Sequence, residues 1–242
     1  MQKFFRLLPI LLILAIGVAC VFPAAALGTK FGLWHFRTAF SLIGGAALTG
    51  AILLAMSGVG MLMGIARKDE KAKQRSALVA IIVLVPLGFV FFFGVKAGQV
   101  PEIHDISTDQ QDPPQLQQLL SQRPDDANPL DYSPEVAAAQ AKAYPAVQPL
   151  LVAGNVADTL QKAAQVAGQL GWRVVSSDTA SGVLEATEES FWFGFIDDIV
   201  VRIRAEKDGS RVDVRSVSRV GRSDIGMNAR RIEKFLLQMQ AN

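Results

Sequence analysis

The residues of this chain whose types could do chemistry form two groups. His104 and Asp105 are adjacent, with Asp109 close behind. Arg202, Arg215 and Arg219 stand in a later alternating stretch together with Asp198. A histidine beside a carboxylate is the raw material of a general base, and an arginine fork fits a phosphate or a carboxylate. Together they would act on an anionic substrate. The rest of the sequence does not complete such a site. The other histidine, His35, falls in a short loop between apolar runs, and the lone cysteine, Cys20, lies inside one, so no zinc ligand set can be assembled. No Gly-x-Ser-x-Gly elbow occurs. Glu188 and Glu189 are neighbours on an expected strand, so alternation sends them to opposite faces rather than pairing them as acid and base. No catalytic residue, metal or cofactor is therefore assigned, and His104 reads as structural.

The arginines must be positioned by a hairpin. Asp208-Gly209 is a two-residue turn signal. That register sets Glu206 against Arg211, Arg204 against Asp213, Arg202 against Arg215, Val200 against Val217 and Asp198 against Arg219. These residues share one face. Ile199, Val201, Ile203 and Ala205, with Val212, Val214, Ser216 and Ser218, take the other as the core face. Opposed charges across strands are worth only about 0.2–1 kcal/mol each, and the like pair Arg202–Arg215 is unfavourable. The plainest reading is a solvated face of paired charges. Two others stay open: the preceding arm lies across it and presents His104, Asp105 or Asp109, or an anionic ligand sits there. Arg202, Arg215, Arg219, His104, Asp105 and Asp198 are thus a cluster that either binds an anion or pairs internally.

The elements around this hairpin are legible from pattern. Asn155 reads as an N-cap and Gly171 as a C′ glycine, bracketing a helix with an apolar stripe at Val156, Leu160, Ala163, Ala167 and Leu170. Residues 172–177 and 183–189 read as a first hairpin. A last helix is expected from about Ser223 to Gln238, with Ile225, Ala229, Ile232, Leu236 and Met239 inward and Arg230, Arg231, Glu233 and Lys234 mostly outside. The expected domain, 151–242, is α+β: a four-stranded antiparallel sheet with two helices on one face. Residues 99–150 hold most of the prolines and read as an ordered but irregular arm, with one short helix from Pro134 to Ala143 capped by Ser133. Phe191-Trp192-Phe193-Gly194-Phe195 is the densest aromatic run. It reads as core filler or, if exposed, as a patch for lipid or a protein partner.

Half of the 242 residues are hydrophobic, which points to a membrane portion. A span takes roughly 20 apolar residues, and three runs qualify, near 7–27, 38–66 and 77–95, within a transmembrane region 1–98. Arg67, Lys68, Lys71, Lys73 and Arg75 crowd the second loop, whereas the first holds Lys30 and Arg37. The positive-inside rule then sets the N-terminus in the cytoplasm and the C-terminal domain on the opposite side, which is the periplasm where the membrane is a bacterial inner membrane. Gly17-Val18-Ala19-Cys20 is similar to a lipoprotein cleavage signal, but the apolar run continues past it. Ala47, Ala51, Ala55 and Gly60-x-x-x-Gly64 are small residues at helical spacing, expected to pack the spans together. No span carries an ionisable residue at its centre, which argues against an ion path. A net charge of +2 gives no field for nucleic acid.

Several strings in the soluble part resemble the domain-of-unknown-function 1499 family. They are Pro101 to Asp109 followed by Pro113-Pro114, Asp197 to Arg204, Ser210 to Ser216, Ser218 to Gly221 with Ser223-Asp224, and Asn228 to Ile232. The resemblance spans about residues 100–240. It implies a bacterial envelope or plastid setting and no established activity. The function expected is a membrane-anchored envelope module that binds membrane lipid and an envelope protein or anionic ligand without catalysis. The alternative is an enzyme acting on an anionic envelope substrate through Arg202, Arg215 and His104.

Overall fold

A computed structural model describes residues 2–241, and the side chains of residues 2–5 lie outside that description. The chain divides into two units, Met1–Lys96 with Phe191–Gly194, and Ala97–Ser190 with Phe195–Asn242.

The first unit is built on three helices, α1 (Gln2–Lys30), α2 (Phe36–Arg67) and α3 (Glu70–Ala97). Each is long and apolar enough to cross a membrane, which supports a multi-pass membrane protein. The α1–α2 connection is pinned by Trp34, whose Nε1 donates to the Ala25 carbonyl at 3.0 Å. Gly28 makes room for that indole, since a Cβ there would meet the ring at 2.0 Å. His35 caps α2, its Nδ1 accepting from the Arg37 N–H. The small-residue expectation holds at Gly60 and Gly64, which are buried, and needs correction at the alanines. Ala51 and Ala55 are exposed, and the buried stripe is Ala39, Ala46, Gly50, Leu53, Ser57, Gly60 and Gly64. That stripe alternates steps of three and four, the 3.5-residue period that keeps one seam facing its neighbours, whereas a strict step of four drifts around the helix.

The second unit is an α+β domain, but its sheet has six strands rather than four, and three α-helices rather than two accompany it. The hairpins expected from the sequence are present: β3 (Arg173–Asp178) with β4 (Val183–Glu189), and β5 (Ile196–Glu206) with β6 (Gly209–Ser218). The extra strands, β1 (Asp105–Ser107) and β2 (Leu150–Val152), come from the arm, and both pair antiparallel with β6. The order across the sheet is β1-β6-β5-β4-β3, with β2 also on β6. Three residues are too few to show alternation, so no sequence pattern announced them. Their cause lies in β6, a long strand whose outer row of N–H and C=O groups would otherwise be open. β1 takes one half of that edge and β2 the other. Between them the Thr108 N–H donates to the Val214 carbonyl and the Val214 N–H to Thr108 Oγ1, both at 2.9 Å.

The β5–β6 register also differs from expectation. Glu206 pairs with Gly209, so the turn residues are Lys207 and Asp208. Gly209 belongs to the strand at φ 151°, where a Cβ would lie 2.2 Å from the Val152 carbonyl of β2. The slip moves both strands together, so the division into two faces survives while the partners change. Arg202 opposes Asp213, and the like pair is Arg204 with Arg211.

α4 (Pro134–Ala143), α5 (Val156–Gln169) and α6 (Met227–Ala241) complete the domain. α4 is capped by Ser133, and α5 runs from its Asn155 cap to Gly171 at φ 82°, as their residues dictate. α6 starts later than expected, because Ile225 and Gly226 hold positive φ and Asp224 accepts from the N–H groups of Gly226 and Asn228. The apolar sheet face carries Leu184, Ala186, Ile199, Val201, Ile203, Val212 and Val214. It packs on Leu160, Ala163, Val166 and Ala167 of α5 and on Ala229, Ile232, Phe235 and Met239 of α6. Trp172 stacks on Phe235 with ring centroids 5.0 Å apart. Arg231, expected outside, is buried.

Candidate functional site

The charged face of the sheet is covered by the arm. Leu116, Leu119 and Leu130 pack on Val183, Val200 and Val217 and on Val175 of β3. Around this small apolar patch the charges are consumed internally. This corrects the plainest expectation, a solvated face, and the reason is energetic. Exposed pairs contribute little, while an arm that brings carboxylates and carbonyls buries Arg215 and Arg219 against hydrogen-bond acceptors; Arg202, whose Nε is buried without an acceptor among the described residues, is the exception.

Arg215, fully buried, is gripped by Asp105 in a two-pronged ion pair, Nε to Oδ1 at 3.0 Å and Nη2 to Oδ2 at 2.6 Å. Its remaining donors reach the carbonyls of Pro114 at 3.2 Å and Leu130 at 2.6 Å. Tyr132 lies under the guanidinium, and burial with the Asp105 charge pushes its phenol above the ordinary range, the Arg215 charge opposing only in part. Arg219 grips Asp198 differently: its Nε and Nη2 both donate to Oδ1, at 3.0 and 2.7 Å, its Nε also reaches Oδ2 at 3.0 Å, and its Nη1 donates to the Gln122 carbonyl at 2.8 Å. Arg123 of the arm also donates to Asp198.

Arg202 belongs to a third group at the rim. It donates to Asp112 Oδ2 at 3.0 Å and to the Asp112 carbonyl at 2.7 Å, with longer contacts to Asp109 and Asp213. Arg204 and Arg211, the like-charged pair, are held together by the carboxylates of Asp109 and Asp213 between them. Burial alone would push the Asp109 carboxyl up. The N–H groups of Asp112 and Gln111, with Arg204 and the Arg211 charge, outweigh it and leave the group below its usual value. Arg204, at 39% side-chain exposure, and Asp112, at 65%, remain reachable from solvent.

The sequence-derived cluster is therefore three separate ion-pair groups rather than one site. Asp105 pairs with Arg215, and Asp198 with Arg219. His104 joins neither: it is half-buried, and its carbonyl accepts from the Ser218 N–H and from Asn228 Nδ2. Arg202, Arg215 and His104 do not converge on one solvent-reachable point, so the geometry gives no support to their joint action on a substrate. Among the described residues, no group of three or more histidines, cysteines and carboxylates is arranged to hold a metal.

Sequence reasoning missed several members. Glu185, 1% exposed, accepts from the N–H groups of Gln117, Gln118 and Leu119 at 2.7, 3.0 and 2.8 Å, holding the 3₁₀ turn Gln118–Gln122 on the sheet. Its alternation with Leu184 and Ala186 marked it as facing away from the core. Its partners are backbone groups, which carry no sequence signature. Gln140 of α4 pairs its side-chain amide with both the N–H and the carbonyl of Ser107, as a neighbouring strand would, and so closes the outer edge of β1. On the core side, Arg231 donates to Asp197, Glu188, Asn228 and Ser216. Burial pulls its pKa down, and the Asp197 and Glu188 charges more than compensate.

Compared with protein families, residues 105–239 match the one described as "Protein of unknown function (DUF1499)". A comparison with curated proteins finds no match. The matched stretch begins at the first carboxylate that grips Arg215, ends at the last turn of α6, and takes in both the arm and the sheet. It covers more than half of the chain, and the chain belongs to the DUF1499 family.

Proposed function

We propose that the chain is a membrane-anchored module of the bacterial envelope, non-catalytic, whose periplasmic domain binds a protein partner or an anionic ligand at the rim of its charged face. The observation that carries this reading is the occupancy of the face. Arg215 and Arg219 are spent on Asp105 and Asp198, while Arg204, Arg211 and Asp112 at the rim remain accessible. A rim of mixed sign suits recognition, because such charges tune association and specificity more than raw affinity. The basic loop Arg67–Arg75 supports a cytoplasmic N-terminus and a domain on the opposite side.

Crosslinking in intact membranes followed by pull-down tests the binding role. Recovery of a specific partner that is lost in Arg204→Glu supports it, and recovery that is unchanged in that variant contradicts the rim as the binding surface. Protease added to intact spheroplasts tests the sidedness. Digestion of the domain is expected, and its survival would contradict the periplasmic placement.

A further inference from the structure

We infer that the β4–β5 loop is a membrane-interface wedge that seats the domain on the lipid surface to which its own helices tether it. The tip of this loop is Phe191-Trp192-Phe193-Gly194. It is closed by two hydrogen bonds, the Ser190 N–H to the Phe195 carbonyl at 2.8 Å and the Phe195 N–H to Ser190 Oγ at 2.9 Å, with Gly194 at φ 68°. Phe191 is 74% and Trp192 53% exposed, and their rings meet edge to face at 5.3 Å. These are large apolar surfaces presented on a short, hydrogen-bonded turn, which core filler would not be. Tryptophan and phenylalanine without a charge among them are what a bilayer interface accepts.

The sheet register determines which way the tip points. Asp105 at the start of β1 and Asp198 near the start of β5 both lie opposite Val217 of β6. β1 and β5 therefore run in the same direction, and the chain enters the sheet at the end from which the aromatic tip projects, two strands or about 10 Å to the side. The stretch 97–105 that leads from α3 to β1 reaches at most about 28 Å when fully extended. The tip and the tether thus share one end of the sheet. The opposite end, about 34 Å away along β5, carries Lys207 and Asp208 at its turn. At the base of the aromatic tip, Glu188 and Asp197 are paired with Arg231, and Asp198 with Arg219, which lowers the charge cost of approaching lipid.

The inference rests on the helices crossing a bilayer and is independent of the binding role of the rim. It is tested on the full chain in phosphatidylcholine proteoliposomes. Cys20→Ala removes the native thiol, and an environment-sensitive dye is attached at Phe191→Cys, at Lys207→Cys, or at Ile52→Cys on the exposed side of α2. The dye at 191 is expected to shift to the blue and lose emission to lipids brominated near the glycerol end of the chain. The dye at 207 is expected to stay open to aqueous iodide. A dye at 191 that behaves like the one at 207 overturns the wedge. So does one shielded from iodide yet untouched by brominated lipid, which identifies a protein cover instead. If the dye at 52 escapes lipids brominated near the methyl end of the chain, the anchor itself is refuted, and the wedge with it.

Discussion

The two faces of the one sheet are both buried, and they are buried by different physics. The face toward α5 and α6 is sealed by apolar side chains such as Leu160, Ile199, Ile232 and Phe235, for which any well-shaped hydrocarbon would do. The face toward the arm is sealed around a minimal apolar patch by directed bonds: Asp105 on Arg215, Asp198 on Arg219, Glu185 on three successive N–H groups. The first face makes the domain stable, and the second specifies which segment may cover it. A chain with some fifty residues of proline-rich arm needs that specification, because such a segment has little apolar surface with which to choose its own place.

The contrast can be broken most severely at Asp105. Asp105→Ala leaves the Arg215 guanidinium buried without its counter-charge, and a loss of about 3–5 kcal/mol is expected in denaturant unfolding of the full chain in detergent. Adding Arg215→Met should recover most of that loss, since an apolar pair of similar volume often replaces a buried ion pair at no cost. Strict additivity of the two changes would mean that the pair is not the partnership described.

On the other face, Leu160→Ala should cost about 2–5 kcal/mol through lost transfer energy and a cavity, and no second polar change should rescue it. Unfolding of the double variant with Asp105→Ala reads whether the faces act independently, and near-additive losses are expected because the two residues share no partner.

Glu185→Gln is the next smaller test. The amide keeps one acceptor where the carboxylate offered two, so one or more of the N–H groups of Gln117, Gln118 and Leu119 is left short, at about 1–3 kcal/mol. Faster hydrogen exchange confined to residues 117–122 would be its signature. A loss spread over the whole sheet would contradict a local clamp.

The smallest effect concerns pH at the rim. Asp109 has its pKa lowered in the fold. Its stabilising contribution is therefore fully present above the unfolded carboxylate value of about 4 and is lost as pH falls through the lower folded value. The difference in Tm between the native chain and Asp109→Asn should hold constant above that value and narrow below it. A difference that widens on acidification would reverse the sign and contradict the assignment.

What was legible beforehand follows the same division. The apolar face, the hairpins, the α5 caps and the three long helices announced themselves through period, turn and capping residues and unbroken apolar length, which are local properties. β1 and β2 did not, because three-residue strands are chosen by the open edge of β6, a feature distant in sequence. The Asp208-Gly209 signal named a turn correctly but misplaced it by one residue, since Gly209 is required by the closeness of Val152 rather than by the turn. Arg231 was assigned to solvent because the chain order does not show Asp197 and Glu188 waiting beneath it. Arg215 and Asp105 could be suspected as partners, but their bidentate pairing required knowing that the arm crosses the sheet.

Hydrogen exchange of the full chain in membrane mimetic, followed residue by residue, addresses the internal closure of the charged face most directly. If the arm is an integral layer, the amides of Ser107, Thr108 and Leu119 exchange as slowly as those of Val201 and Val214 with no ligand added. If those arm amides exchange at the rate of free chain while the sheet stays protected, the arginines face solvent or await a ligand, and the closed face described above is wrong.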